Sequence, residues 1–280
     1  MFLSSIYGTG QFVRPLFYDY PEDEATYSDF HQQALIGPAV MLLGQTMFAG
    51  MDTTTFYIPK GIWCDLLQPT MACINNAEEG TFTDLSTMPH EVYMMLGEGH
   101  VVPMQDAGAL KAMKTFDLAQ APVDIHINGK TDIPFNLAWY AQGTFINDDG
   151  KVFDQDGTYN HYTFAAFPED DQVEGMFTLR ITHTAEATTL ADSYIDGCSA
   201  VNENDVLGDL FLYNADVLGY DQYDTYDVTV YYVGAETTAV PLDDQATYDK
   251  TTRRVVWSNS QATKVCMPNV DTISFTPVQA

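Results

Sequence analysis

Basic residues are scarce in this sequence, and their scarcity is the first constraint on function. The 280 residues contain 11 Lys and Arg against 39 Asp and Glu, which gives a formal net charge of -28. No Lys or Arg occurs between Arg180 and Lys250. Such a chain repels polyanions, so nucleic acid and anionic membrane surfaces are excluded as partners. Neutral ligands such as sugars remain compatible, as do cations, and the acidity also serves to keep a protein in solution.

Cysteine and histidine are sparse as well. The four cysteines, Cys64, Cys73, Cys198 and Cys266, are too few for a disulfide scaffold and include no C-x-x-C spacing. Cys64 and Cys73 are close enough to close a short loop in an oxidising compartment, and two free core thiols are an equal alternative. The six histidines contain no H-x-x-x-H pair. We therefore predict no metal site and no cofactor.

Long apolar runs are missing too. No window approaches about 18 uninterrupted apolar residues, so we predict no membrane span. The first residues, MFLSSIYGTGQF, lack a basic region and are too short for a signal peptide. We expect a soluble protein, and a targeting signal for a secretory compartment would have to lie on sequence outside this chain.

Helical patterns are confined mostly to the beginning of the chain. Residues 2–8 read as the end of a helix that Gly8 and Gly10 terminate. Thr26 or Ser28 is a candidate cap for a short helix in which Phe30, Ala34 and Leu35 share a face. The continuous apolar run ALIGPAVMLL, residues 34–43, predicts a strand buried on both faces in a parallel sheet.

After Gly50 the chain consists of short β-rich runs separated by Gly, Pro, Asn and Asp. In FTLRITHT the apolar Phe177, Leu179 and Ile181 alternate with polar residues, as in a strand with one buried face. Strands of this length and spacing indicate antiparallel sandwiches. One possible helix, DAGALKAMKTF at residues 106–116, separates an earlier β-region from a later one and is our candidate boundary.

Four segments in order resemble glycoside hydrolase family 31, the α-glucosidase family. VRPLFYDYP with the following ALIGPAVMLL resembles the end of the family's catalytic barrel, and FYIPKGIWCDL resembles its Tyr-x-Pro-x-Gly-x-Trp-x-Asp segment. The third segment, MPHEVYMMLGEGHVVPMQ, resembles the family's strand before a Gly-x-Ile-x-Pro turn. The fourth, GTFINDDGKVFDQDGTYNHYTF, resembles the family's Gly-x-Leu-Tyr-x-Asp-Asp-Gly segment. The resemblance covers roughly residues 12–165. Beyond about residue 185 only the β-rich composition continues.

The resemblance implies a mainly β layout of three parts. Residues 1–45 would be the last helix and strand of a (β/α)8 barrel, residues 46–115 a proximal antiparallel β-sandwich, and residues 116–280 a distal one. Two departures mark a divergent member. Gly97-Glu98-Gly99-His100 replaces the family's Arg-Gly-Gly, and Cys64 stands where an aromatic residue is usual.

The chain inherits no catalytic residue from the family. Retaining glycosidases use two carboxylates about 5–5.5 Å apart, and the family's Trp-x-Asp-Met-Asn-Glu nucleophile motif is missing from this sequence. Asp65 in Trp63-Cys64-Asp65 only superficially resembles that motif. Asp148 and Asp149 are neighbours whose side chains would point to opposite faces of an extended backbone, so they cannot flank one bond. NDDG reads as a turn, with a weak Ca²⁺ alternative in DDGKVFDQDG.

Two further features are assigned structural roles. Arg14, beside Pro15, is expected to pair with a carboxylate near the end of the barrel, with substrate binding as the alternative. The aromatic run from Tyr213 to Tyr232 is expected to pack in a core or along a sheet edge rather than form a sugar-stacking platform.

Two hypotheses follow. In the first, the chain is the C-terminal part of an α-glucosidase-like retaining hydrolase and braces a barrel carried on another chain or segment. That assembly would hydrolyse terminal α-linked glucose in a lysosomal, vacuolar or extracellular compartment. Residues 1–50 should then form a large apolar surface that fits a barrel. In the second, the chain is a non-catalytic structural or carbohydrate-binding β-sandwich protein derived from the family.

Overall fold

The computed structural model describes residues 10–28, 32–44, 52–67, 73–86, 92–105, 121–133, 137–148, 159–169, 174–184, 205–233, 238–259 and 265–279. These residues are mainly β, as predicted, and short 3₁₀ helices accompany the strands. Internal contacts divide the chain into two compact units, Met1–His100 and Val101–Ala280. The domain limits predicted at residues 45 and 115 stay predictions.

The first unit contains two antiparallel sheets. Its strands are β1 (Val13–Arg14), β2 (Gln33–Ile36), β3 (Val40–Gly44), β4 (Thr53–Ile58), β5 (Gly61–Asp65), β6 (Ile74–Asn76), β7 (Thr81–Ser86) and β8 (Val92–Gly97). Six of them form one sheet in the order β1-β2-β3-β8-β5-β6, and β4 pairs with β7 in the other. Two 3₁₀ helices, Leu16–Tyr18 and Glu24–Tyr27, lie between β1 and β2 in the sequence.

The apolar run at residues 34–43 is not one strand of a parallel sheet, and this prediction was wrong. The run forms β2 and β3, an antiparallel hairpin in which Ile36 pairs with Val40. Gly37 has φ +58 and is followed by Pro38, so the chain reverses at a residue that tolerates the left-handed conformation. β3 continues the same sheet by pairing with β8.

The short helix predicted nearby also differs from the structure. Asp23, not Thr26 or Ser28, caps the 3₁₀ helix Glu24–Tyr27, because its side chain accepts the amide of Ala25. Ala34 and Leu35 belong to β2. Phe30 and the helix predicted at residues 2–8 lie outside the described residues.

A buried glutamine joins the two sheets of the first unit. Gln33 on β2 donates from Nε2 to the carbonyl oxygen of Tyr57 at 2.6 Å. Its Oε1 accepts the Tyr57 amide at 3.0 Å. The side chain thus satisfies both backbone groups of a β4 residue, in the way a neighbouring strand would. Around it packs an apolar core that includes Leu35, Trp63 and Met95.

The Gly97–His100 turn has a local explanation for its divergent sequence. A Cβ on Gly97 would crowd the Trp63 ring, and Gly99 has φ +79. Glu98 accepts the Ile62 amide through Oε2 at 3.2 Å. The acidic residue therefore fastens the turn to β5.

The second unit is built on one large sheet. Its strands are β9 (His100–Gln105), β10 (Val123–Asn128), β11 (Ala141–Asp148), β12 (Tyr159–Pro168), β13 (Phe177–Thr184), β14 (Leu207–Tyr213), β15 (Thr225–Tyr232), β16 (Thr238–Pro241), β17 (Ala246–Asp249), β18 (Arg254–Trp257) and β19 (Val270–Pro277). Their order is β16-β15-β17-β18-β14-β10-β9-β11-β12-β13-β19, and β15 also pairs with β19. This additional pairing closes the sheet on itself.

β10 and β14 run parallel, whereas β11, β12, β13 and β19 pair antiparallel in that order. The predicted alternation on β13 is confirmed, since Phe177, Leu179 and Ile181 are buried in the core of the closed sheet. Thr178 departs from the pattern and is buried as well. Its hydroxyl donates to Glu169 at 3.0 Å.

Of the two alternatives for Cys64 and Cys73, the structure has the disulfide, with Cα atoms 4.2 Å apart. Cys266 is also disulfide-bonded. The boundary helix predicted at residues 106–116 lies outside the described residues.

Candidate functional site

A group of exposed aromatic and apolar side chains in the first unit is the candidate site, and we call it the aromatic surface. Its members are Phe12 at 39 %, Val13 at 54 %, Phe17 at 41 %, Tyr18 at 47 % and Tyr27 at 58 % exposure. The rings of Phe17 and Tyr27 stack with centroids 5.3 Å apart and an interplanar angle of 13°. Concentrated exposed apolar side chains mark interaction surfaces in soluble proteins.

The segment that carries these rings is anchored to the first unit from its other side. Leu16 is 1 % exposed and belongs to the apolar core. The Tyr20 ring lies against Trp63 with centroids 6.5 Å apart. Thr26 is buried and donates to the carbonyl oxygen of Asp23 at 2.6 Å. Inward residues therefore hold the segment while its neighbours in sequence face outward.

Arg14 pairs with a carboxylate, as the sequence predicted. Its Nη1 donates to Asp19 Oδ1 at 3.0 Å, and its Nε donates to the Gln11 carbonyl oxygen at 2.7 Å. The guanidinium carbon lies 5.2 Å from the centroid of the Tyr18 ring. Asp19 thus neutralises the positive charge of Arg14 within the same segment. The exposed part of the aromatic surface therefore consists mainly of uncharged rings.

A second anchor joins the segment to β4. The Tyr57 hydroxyl donates to Asp23 Oδ2 at 2.5 Å. Burial and this hydrogen bond raise the pKa of Tyr57 above its ordinary value, so the phenol stays protonated and remains the donor. Burial and the nearby Asp19 and Glu98 charges raise the pKa of Tyr20 in the same direction.

Asp65 has a backbone-binding role in the structure. It is 0 % exposed on β5, and its Oδ1 accepts the amides of Leu67 at 2.9 Å and Met94 at 3.4 Å. A carboxylate in this setting is placed to hold the end of β5 against β8.

Asp148 is the last residue of β11, whereas Asp149 and most of DDGKVFDQDG lie outside the described residues. Asn147, at the start of the predicted turn, instead donates to Asp205 Oδ1 at 2.5 Å. Asp205 also accepts from Asn160 and from the Tyr162 hydroxyl. This buried carboxylate is satisfied by three side-chain donors, so it links β11 and β12 to the residues before β14.

In the tyrosine run at residues 213–232, three rings pack inward, as predicted, whereas Tyr223, Tyr231 and Tyr232 are half-buried. Tyr213, Tyr220 and Tyr226 are at most 2 % exposed. The Tyr220 hydroxyl accepts from Trp139 Nε1 at 2.9 Å, and the Tyr226 hydroxyl donates to the Tyr220 carbonyl oxygen at 2.7 Å. These rings are therefore committed to the core of the second unit.

Within the described ranges no three His, Cys, Asp or Glu side chains are grouped so as to hold a metal ion. Among the same residues, no helix is long and apolar enough to cross a membrane.

The aromatic surface was only partly foreseen from the sequence. An apolar surface was expected within residues 1–50, but no member of it was singled out. The usable signal is local: VRPLFYDYPEDEATY contains four aromatic side chains in a stretch too short to bury them all.

Fold and surface together describe a mainly β protein whose first unit carries several exposed aromatic side chains. Residues 10–102 match the family model of the "Glycosyl hydrolase family 31 C-terminal domain". The first part of the chain is thus similar to the C-terminal domain of glycoside hydrolase family 31, and the match ends at residue 102.

Curated relatives and solved structures agree with this placement. The chain is 24 % identical over 170 residues to the lysosomal α-glucosidase of Mus musculus and 27 % identical over 168 residues to that of Bos taurus. The match to the mouse protein covers 55 % of this chain but 17 % of the relative, so the chain spans a small part of that protein's length.

The solved structures show the fold across nearly the whole chain. The glucosidase II α subunit in its DNJ-bound form superposes with a TM-score of 0.64 at 18 % identity, over 95 % of this chain and 26 % of that one. A heterodimeric ER glucosidase II complex of catalytic subunit and regulatory-subunit binding domain gives a TM-score of 0.65 at 17 % identity. It covers 98 % of this chain and 27 % of that one.

Proposed function

We propose that the chain is the C-terminal part of an α-glucosidase-like retaining glycoside hydrolase. It would brace a catalytic barrel that another chain or segment carries. The aromatic surface is the observation that carries this proposal, because five exposed apolar side chains are gathered within residues 12–27. The occupant we propose for this surface is the barrel. In the solved neighbours the matching portion is about a quarter of a much longer chain, so most of such a protein is sequence of another kind.

In the proposed assembly, the barrel would carry both catalytic carboxylates and this chain would hold the barrel in position. Two carboxylates about 5–5.5 Å apart on rigid strands hydrolyse an α-glucoside with retention. A barrel rim keeps such a separation only if the elements around it are fixed, and ring-on-surface packing fixes them without needing charge. The substrate we propose for the assembly is a terminal α-linked glucose residue.

The compartment we propose is the secretory pathway, lysosomal or vacuolar, or the extracellular space. The Cys64–Cys73 disulfide supports it, since disulfides persist in oxidising compartments. The names of the relatives, lysosomal α-glucosidase and ER glucosidase II, point the same way.

Native mass spectrometry of the purified protein, without and with reductant, tests the assembly. We expect the chain to travel with a polypeptide bearing the Trp-x-Asp-Met-Asn-Glu motif. We also expect the assembly to cleave 4-nitrophenyl α-D-glucopyranoside. A chain that stays stable and monomeric at every concentration contradicts the proposal and favours the non-catalytic β-protein alternative.

A further inference from the structure

The rings of the aromatic surface are carried by two very short 3₁₀ helices. Phe17 and Tyr18 belong to Leu16–Tyr18, and Tyr27 ends Glu24–Tyr27. Helices of three and four residues have too few hydrogen bonds to persist alone. Their positions, and the Phe17–Tyr27 stack between them, must be set by contacts with the sheets.

Asp23 provides one such contact, and its two carboxylate oxygens have different partners. Oδ1 accepts the Ala25 amide at 3.1 Å and so caps the helix that ends at Tyr27. Oδ2 accepts the Tyr57 hydroxyl at 2.5 Å and so ties the same cap to β4. One side chain therefore starts the helix and also fixes where it starts.

Tyr57 is itself fixed by contacts of its backbone and of its ring, so the position of its hydroxyl is well defined. Both of its backbone groups bond to the buried Gln33 side chain. Its ring packs on Phe82 with centroids 5.0 Å apart. A Cβ on Gly80 would overlap the Tyr57 hydroxyl, so glycine at this position leaves room for the oxygen that meets Asp23.

We infer that Asp23 and Tyr57 are positioning residues for the contact made by the aromatic surface. Their hydrogen bond preorganises Tyr27, and through the ring stack Phe17, before a partner arrives. Binding then does not have to order the segment. The docking part of this inference rests on the proposed function.

Hydrogen exchange measured by mass spectrometry tests the positioning directly. Tyr57→Phe removes one hydroxyl and leaves the ring. Tyr93→Phe is the matched control, because the Tyr93 hydroxyl donates to the Ser86 carbonyl oxygen at 2.5 Å elsewhere in the same unit. The amides of Thr26 and Ser28, bonded to the carbonyls of Asp23 and Ala25, are the reporters.

We expect these amides to exchange roughly tenfold faster in Tyr57→Phe, the factor for loss of one ordinary hydrogen bond, and to be unchanged in Tyr93→Phe. Gly80→Ala, which displaces the Tyr57 hydroxyl, should reproduce the effect. Equal exchange in Tyr57→Phe and Tyr93→Phe overturns the inference, whether or not a barrel chain is found.

Affinity for the barrel chain identified by native mass spectrometry tests the docking role separately. Tyr57→Phe should weaken that complex roughly tenfold and Tyr93→Phe should leave it within about twofold. Phe17→Ser combined with Tyr27→Ser should abolish it. Faster exchange in Tyr57→Phe with unchanged affinity overturns the docking role. If no barrel chain binds, the proposed function fails, while the exchange measurement still decides whether the pair positions the segment.

Discussion

His126 is a titratable residue enclosed in the core of the second unit. Its Nδ1 lies 2.8 Å from the Tyr213 hydroxyl, and its ring stacks on Phe211 with centroids 4.8 Å apart. The guanidinium of the buried Arg254 lies over the Tyr213 ring at 4.1 Å. Burial first, and the Arg254 charge second, lower the pKa of His126 from 6.5 to about 4.

This histidine should make the second unit sensitive to acid. Because the pKa of His126 in the folded state lies below the unfolded value, the unfolded chain takes up the proton first as the pH falls. Its stabilising contribution is complete above about pH 6.5 and is lost progressively toward pH 4, by about 3 kcal/mol in total. Urea unfolding at pH 7.5 and 4.5 should show a smaller loss in His126→Gln than in the natural chain. Equal losses in the two proteins would refute this account.

At the scale of elements, Gln33 is one of the side chains that join the two sheets of the first unit. Gln33→Leu would leave the amide and carbonyl of Tyr57 without the partners that Gln33 supplies. Losing a hydrogen bond to a buried group costs roughly 1–3 kcal/mol, so we expect the loss of two to lower the free energy of unfolding by about 3 kcal/mol. Urea denaturation measures it, and a midpoint equal to that of the natural chain would contradict the prediction.

The pH dependence of the Gln33→Glu variant tests separately whether the hydrogen bond donated by Gln33 contributes to stability. A carboxylate accepts the Tyr57 amide but cannot donate to the Tyr57 carbonyl, whereas a protonated carboxyl can. Gln33→Glu should therefore be less stable than Gln33→Leu at pH 7. The difference in free energy of unfolding between the two variants should become smaller at pH 4. A constant difference between the two variants across this range would show that the donor function of Gln33 has no effect.

The close approach of β9 and β11 depends on one glycine. A Cβ on Gly143 would overlap the Val101 carbonyl oxygen, which is backbone and cannot move aside cheaply. Gly143→Ala should destabilise the protein by about 3 kcal/mol in urea unfolding. Gly44→Ala is the control, because its Cβ would meet Val92 Cγ2 at an ordinary 3.8 Å. A midpoint for Gly143→Ala no lower than that of the control would contradict the prediction.

At the scale of the whole molecule, the sequence located many strands but not their partners. Alternation identified β13 because Phe177, Leu179 and Ile181 face one core. The run at residues 34–43 was misassigned because a hairpin in a core and a doubly buried strand are both continuously apolar. Gly37-Pro38 was the signal that separates them. The closure of the second sheet through β15 and β19 joins distant segments that no local pattern relates.

The candidate site shows the same division between local and tertiary information. The pairing of Arg14 with a carboxylate was predictable because its partner, Asp19, is five residues away. The exposure of Phe17 and Tyr27 was not predictable, since it depends on Leu16 and Tyr20 occupying the inward positions against the sheet. Composition limits how many rings can be buried but does not choose among them.

The negative charge of the chain opposes self-association in solution, whereas the aromatic surface favours it. A formal net charge of -28 keeps copies of the chain apart at low ionic strength. At about 0.5 M NaCl the charges are screened within a few ångströms, and apolar contact is no longer opposed. We expect the isolated chain to self-associate in sedimentation experiments at high salt and to remain monomeric at low salt.

Phe17→Ser with Tyr27→Ser should abolish the self-association at high salt. Val217→Ser with Val233→Ser, which removes side chains 46 % and 42 % exposed in the second unit, should leave it intact. Equal behaviour of the two double variants would mean that association is a general consequence of screening. A loss confined to the first would mean that the aromatic surface is where this acidic chain meets another protein surface.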